Sequence, residues 1–246
     1  MITQGYVSKA LRFDFLGKFK LKAYHDKYKP CIFFGCFKGR GDVMKVISHQ
    51  SLAVVCWRGT DILGMTKEDI KALRKDNIKH IAISDHIARD LDKYGFKYKR
   101  FPVTATRLKF NPVPLGDSVY TYIDKRRPND YGMEIIKKLQ DRYNIIIGGG
   151  FPPEKMTEVY KRCYIGLRLT RHDGLPNTVI EMGLMGRKCV YNGQLSNAIS
   201  YESIGDIINA IETERKKNGV VQFDVARKVF DYFNISNEWL DEAIYA

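Results

Sequence analysis

No CxxC pair, no apolar run long enough to cross a bilayer and no glycine-rich loop closed by GK[ST] occurs in this sequence of 246 residues. Each absence removes a class of protein. The longest apolar runs, "SLAVV" and "NIII", fall far short of the roughly 20 residues that a spanning helix needs. The opening "MITQGYVSKALRFDF" lacks the basic head, apolar middle and small-residue cleavage site of a signal peptide, so a cytoplasmic protein is expected. Cys31, Cys36, Cys56, Cys163 and Cys189 sit mostly inside apolar segments without zinc spacing, and read as reduced, buried thiols. "GGGFP" is not a P-loop, since no GK[ST] follows it. No long polar segment suggests disorder, and no repeat suggests a solenoid.

What is present in excess is positive charge, and it is unevenly placed. The net charge is +13, from 41 Lys and Arg against 28 Asp and Glu. Up to Pro112 there are 23 basic and 10 acidic residues, which leaves 18 of each for the remainder. The whole excess therefore lies in the first segment, which suggests a partner that only this segment handles.

Along the chain, short apolar runs alternate with helical patterns. "KPCIFFGCF", "SLAVVCW" and "IKHIAIS" read as strands, and "DHIARDLDKYG" as a helix capped by Ser84 and stopped at Gly95. "FKYKRFPVTATRLKFNPVPLGD" carries three prolines and no period, as a linker would. "SVYTYID", "NIIIGGG", "YIGLRL" and "KCVYNG" are further strands, interleaved with the helices "MEIIKKLQDRY", "PEKMTEVYKRC" and "ESIGDIINAIETERKKNG". "KFKLK" alternates as a strand does. This order predicts an α/β protein with two Rossmann-like parallel-sheet domains facing a central cleft. The expected divisions are 1–112 for a basic domain, 113–220 for a second domain, and 221–246 for two short C-terminal helices that pack back towards the first.

The densest motif is "RHDGLPNTVIEMGLMGRKCVYNG", from Arg171 to Gly193. On the plainer reading, Thr178 caps a helix that ends at Gly186, and Glu181 closes a capping box. The loop before it points elsewhere. Gly174 lets backbone approach a ligand closely, Pro176 removes a donor, and the amides from Asn177 to Ile180 then face whatever lies at the helix start, where a phosphate is favoured.

The stretch "DGLPNTVIEMGLMGRKCVYNG" resembles the donor-site signature of retaining GT-B glycosyltransferases of the GT4 type, an acidic residue, Gly, a small or apolar residue, then Pro-Asn-x-x-x-Glu. "AISDHIARDLDKYG" looks like the helix that closes the N-terminal domain of those enzymes, and this would be a short, viral or phage-like member in a host cytoplasm. The resemblance implies that Asp173, where the family usually has Glu, faces the transferred sugar. It implies that Glu181 binds the nucleotide ribose, and that Leu175, Pro176, Asn177 and Thr178 meet the diphosphate. Lys125 and Arg126 in "YIDKRRP" stand where the family keeps its phosphate clamp, and Arg168 is a third candidate. "KRR" is equally a solvated charge run. Gly149, Gly150 and Phe151 are expected to wall the nucleobase. The implied co-substrate is a nucleotide-diphosphate sugar, UDP-linked, with no cofactor and no metal. The formal DxD at Asp90 and Asp92 falls in a helix whose i and i+2 positions diverge, and reads as surface.

In retaining GT-B enzymes the departing phosphate oxygen can itself take the acceptor's proton. The family's histidine in the second loop of the first domain is absent here. That loop reads "CWRGTD", so Asp61, as the catalytic replacement, or Arg58 is expected to line the acceptor side, and His172 is a lesser candidate for touching the sugar. For the acceptor, double-stranded DNA is the leading reading. Lys18, Lys20, Lys22, Lys27 and Lys29, with Phe19, Tyr24 and Tyr28 between them, and Lys38 and Arg40 further on, suit phosphate contacts. A hydroxymethylcytosine hydroxyl in the major groove would then receive the sugar. A glycolipid or cell-surface glycan at a membrane surface is the alternative. A nucleotide- or DNA-binding module without transfer activity is the third reading. No obligate protein partner is evident.

Overall fold

The apolar runs become parallel strands, which the chain gathers into two separate sheets. The computed structural model describes residues 2–11, 14–104, 106, 108–149, 151–170 and 172–233. The chain divides into two compact units. One takes in Met1–Ala105 together with His172–Leu175, the other Thr106–Arg171 and Pro176–Asn234.

In the first unit the elements are β1 (Gln4–Val7), α1 (Phe15–Lys18), β2 (Lys22–Ala23), β3 (Cys31–Phe34) and α2 (Asp42–Ile47). β4 (Ala53–Trp57), α3 (Lys67–Ala72), β5 (Ile78–Ala82), α4 (Asp85–Lys93) and β6 (Lys99–Arg100) follow. The sheet order is β2-β1-β3-β4-β5-β6. Every residue of β3 and β4 is buried, which is why both read as unbroken apolar runs rather than as alternation. Ser84 caps α4 by accepting from the Ile87 amide, and Gly95 ends it in the left-handed region at φ 64°. "KFKLK" is a correction. Lys18 ends α1 and only Lys22 reaches a strand. Phe15 and Phe19, four residues apart, stack on the same Phe34 ring at 4.5 and 5.7 Å, a spacing that a helical turn supplies and a strand does not.

The loop His172–Leu175 packs as part of this first unit. A Cβ on Gly174 would stand 2.2 Å from the Arg58 carbonyl oxygen and 3.2 Å from the Gly59 Cα. Glycine is therefore required by the chain's own backbone, a correction to its expected approach to a ligand.

The second unit holds β7 (Ser118–Tyr122), α5 (Met133–Gln140), β8 (Ile145–Gly148), α6 (Met156–Lys161) and β9 (Cys163–Leu167). It continues with α7 (Asn177–Leu184), β10 (Lys188–Val190), β11 (Ala198–Ile199), α8 (Ile204–Arg215) and α9 (Phe223–Phe233). The sheet order is β11-β10-β9-β7-β8. Val119 and Ile165 from the strands meet Ile136 of α5 and Ile207 and Ile211 of α8 in one core. Of the two helices expected at the C-terminus, α9 is the first; the second lies outside the described residues.

Arg187 is fully buried in this unit. Its guanidinium donates to the carbonyls of Tyr160, Lys161 and Cys163, of Val113 and Pro114, and of Met185. The proline-rich segment expected to be a plain linker is thus clamped to the ends of α6 and α7. Burial lowers the Arg187 pKa to about 10, still far above neutral.

Gly174→Ala should cost roughly 1–3 kcal/mol in urea unfolding, since main chain rather than a side chain must yield. Arg187→Met should cost more than about 3 kcal/mol by the same measurement, because it leaves several buried carbonyls without a donor.

Candidate functional site

Ligands of open parallel sheets gather at the carboxyl ends of the strands. In the second unit this edge carries a pocket of about 560 Å³ at the ends of β7 and β8, lined by Ile123, Lys125, Pro128, Met133, Ile147, Gly148 and Phe151. Phe151 is 44% exposed and Ile147 37%, so both present apolar surface to the pocket. Gly149 follows at φ 122°, where a Cβ would meet the Ile123 carbonyl oxygen at 2.5 Å. Gly150 lies outside the described residues.

Glu181 sits in the second turn of α7, half-buried. Its Oε1 accepts from the Thr106 hydroxyl at 2.8 Å and its Oε2 from the Tyr160 hydroxyl at 2.9 Å. Burial raises its pKa above the ordinary carboxylate value, against the pull of these two donors. The capping box is a correction. α7 starts at Asn177 after Pro176, with no side-chain cap. Pro176 supplies the early helix acceptor, so the Val179 and Ile180 amides bond its carbonyl at 3.1 and 3.3 Å. These two amides were expected to face a ligand and do not.

From Tyr160 the contacts continue towards the pocket. Its ring meets Tyr120 edge-on at 5.1 Å, and burial raises both phenols. Gly148 leaves room for Tyr120, whose hydroxyl would lie 2.0 Å from a Cβ there. A continuous polar and aromatic path thus joins Glu181 to the pocket wall. Tyr160, Thr106 and Tyr120 are not part of the motif and were missed. Their link to it is spatial, and no spacing in the sequence signals it.

The basic candidates differ in their surroundings. The Arg126 guanidinium grips Asp124 through Nε at 3.1 Å and Nη2 at 2.8 Å, which lowers the Asp124 pKa to about 2. Lys125 is exposed on the pocket rim. Arg168, just beyond β9, lies over the rings of Tyr122 and Tyr131 at 5.2 and 4.9 Å. Leu175 and Pro176 are buried, while Asn177 and Thr178 are partly exposed at the start of α7.

In the first unit, Asp61 is buried and accepts from the amides of Cys36, Arg58 and Gly59, bracing the turn after β4. Arg58 stacks on Phe15 at 4.6 Å and donates to the Val103 carbonyl. Both groups expected on the acceptor side are therefore spent on internal contacts. Lys18 donates to the Thr104 carbonyl at 2.6 Å, and Lys38 pairs with Asp69 at 2.7 Å. Lys20, Lys22 and Arg40 are exposed. Asp173 is half-buried in the loop His172–Leu175. Asp90 is a correction: it is buried, not on the surface, and holds His172 Nε2 at 2.7 Å. Asp92 bonds Tyr98 at the surface.

Among the described residues no group of three or more His, Cys, Asp or Glu is placed to hold a metal ion, and no helix is long and apolar enough to cross a membrane. No family model matches the sequence, and no curated protein matches it. Solved structures do. A Staphylococcus aureus TarM mutant, in complex with fondaparinux, alpha-GlcNAc-glycerol and UDP, is similar over 89% of this chain at 13% identity and a TM-score of 0.62. This chain spans 55% of the length of that protein. Sucrose-phosphate synthase from Thermosynechococcus elongatus is similar over 82% of the chain and 69% of its own length, at 11% identity and 0.61. Anabaena Alr3699/HepE, in complex with UDP and glucose, is similar over 86% and 77%, at 10% identity and 0.61. With its two Rossmann-like parallel sheets and these neighbours, the chain has the GT-B fold.

Proposed function

We propose that this chain is a glycosyltransferase that moves a sugar from a nucleotide-diphosphate sugar to an acceptor hydroxyl. The observation that carries the reading is the path from Glu181 through Tyr160 and Tyr120 to a half-apolar pocket at the carboxyl edge of the second sheet. Its parts suit the parts of such a donor. Phe151 and Ile147 offer apolar faces to a base. Glu181, held by two hydroxyls, is a fixed acceptor for ribose hydroxyls. Arg168 and Lys125 offer positive charge to a diphosphate. UDP in the TarM and HepE structures supports a uridine donor.

In the reaction the bond from the anomeric carbon to the phosphate oxygen breaks while the acceptor oxygen bonds on the same face. The departing phosphate oxygen takes the acceptor's proton. The fixed cations stabilise the charge that grows on it. Asp173 contacts the sugar hydroxyls in this scheme. No side chain is asked to serve as base, which suits an Asp61 already committed to three amides.

The first unit takes the acceptor, and double-stranded DNA carrying hydroxymethylated pyrimidine suits it. The basic excess of 23 over 10 falls before Pro112, Lys20, Lys22 and Lys27 are exposed, and Lys27 lies over the ring of Tyr28, itself 68% exposed.

Glu181→Gln should weaken binding of UDP-sugar about 10–100-fold by calorimetry, the loss expected for a charge-assisted hydrogen bond. The same variant should not be less stable. The carboxyl pKa of Glu181 is raised by folding, so between the unfolded value, roughly 4.3, and the folded one the native state binds more protons and stability falls as pH rises. The variant should therefore match the wild type at low pH and exceed it in Tm at neutral pH. Lower stability at neutral pH would return Glu181 to a purely structural role. Binding to duplex DNA should weaken steeply as salt rises, and label should pass from UDP-sugar to hydroxymethylated but not plain DNA. Co-sedimentation with anionic vesicles, without such labelling, would favour the membrane acceptor instead.

A further inference from the structure

Asp90 is nearly closed to solvent, and two donors meet it there: Lys93 Nζ at 2.8 Å on one oxygen and His172 Nε2 at 2.7 Å on the other. Burial works against this carboxylate, yet the two donors outweigh it and hold its pKa below the ordinary value. An ionised carboxylate only accepts, so His172 Nε2 must carry a proton. The other ring nitrogen, Nδ1, is shut away from solvent and has no hydrogen-bond partner among the described residues. The ring meets His86 of α4 edge-on at 6.0 Å. Immediately after His172 come Asp173 and Gly174, and Gly174 is seated on the Arg58 carbonyl. The loop is thus fixed at two points, one steric and one polar.

We propose that Asp90 and His172 are a positioning pair: Asp90 fixes the Nε2-protonated tautomer of His172, and the paired ring holds the loop that presents Asp173 to the donor sugar. This rests on the glycosyl-transfer reading above. The buried unpaired Nδ1 shows that packing alone does not satisfy this ring, and its orientation therefore depends on the one bond to Asp90.

The test uses the full chain with nitrogen-labelled histidine. NMR should find His172 protonated at Nε2, and Asp90→Asn should lose that tautomer and speed amide exchange at Asp173 and Gly174. Asp90→Asn and His172→Leu should lower kcat on the order of 100-fold, as a misplaced reacting group does, with the donor KM unchanged. His172→Gln keeps a donor for Asp90 and should restore an intermediate kcat, which sets His172 apart from His86. An Asp90→Asn protein with the wild-type tautomer and wild-type loop exchange would overturn the pair. A wild type that transfers no sugar while the tautomer responds to Asp90→Asn would instead count against the glycosyl-transfer reading and leave the pairing itself supported.

Discussion

One buried guanidinium organises the second unit. Among the described residues Arg187 has no carboxylate partner; its donors go to six carbonyls at the ends of α6 and α7, at the start of β9 and in the segment around Val113 and Pro114. Helix ends leave carbonyls unpaired, and an arginine can satisfy several at once because its donors point outward in a fixed fork. This fixes the separation of α6 from α7. Tyr160 lies on the first of these helices and Glu181 on the second, so their 2.9 Å bond depends on that separation. The arginine never touches the pocket, yet the geometry of the proposed donor site follows from it.

A second pattern runs through both units. Several acids are buried and serve the backbone or a neighbouring hydroxyl. Asp61 braces the turn after β4, and Asp42 accepts from Tyr6, Ser8 and the Phe37 amide. Asp90 orients an imidazole, and Glu181 gathers two hydroxyls. Removing these carboxylates from solvent leaves the exposed charge of the first unit still more basic than its composition suggests. A surface of that sign attracts a polyanion before any specific contact forms.

Much of the fold was legible in the sequence because its signals are local. "CIFF" and "AVVCW" are buried on both faces, so the strands announce themselves as apolar runs, and Ser84 and Ser203 mark helix starts with their own hydroxyls. Other features were hidden because they depend on residues far apart in the chain. Phe15 and Phe19 turn a lysine-rich alternation into a helical turn only because Phe34 lies beneath both. Gly174 looks like a ligand-approach glycine until Arg58, more than a hundred positions earlier, is found against it. In the candidate site, Glu181 stands out from the motif, but Thr106 and Tyr160 do not, since each reaches it by folding alone. Arg187 looks like one more basic residue in "GRK".

The central claim is that Glu181 and the pocket beside Phe151 hold the two ends of one nucleoside. A crystal structure of the chain with UDP addresses it most directly. The account predicts ribose hydroxyls on Glu181, the uracil ring against Phe151 and the diphosphate beside Arg168. Nucleotide bound elsewhere, with no ribose hydroxyl on Glu181, would contradict it.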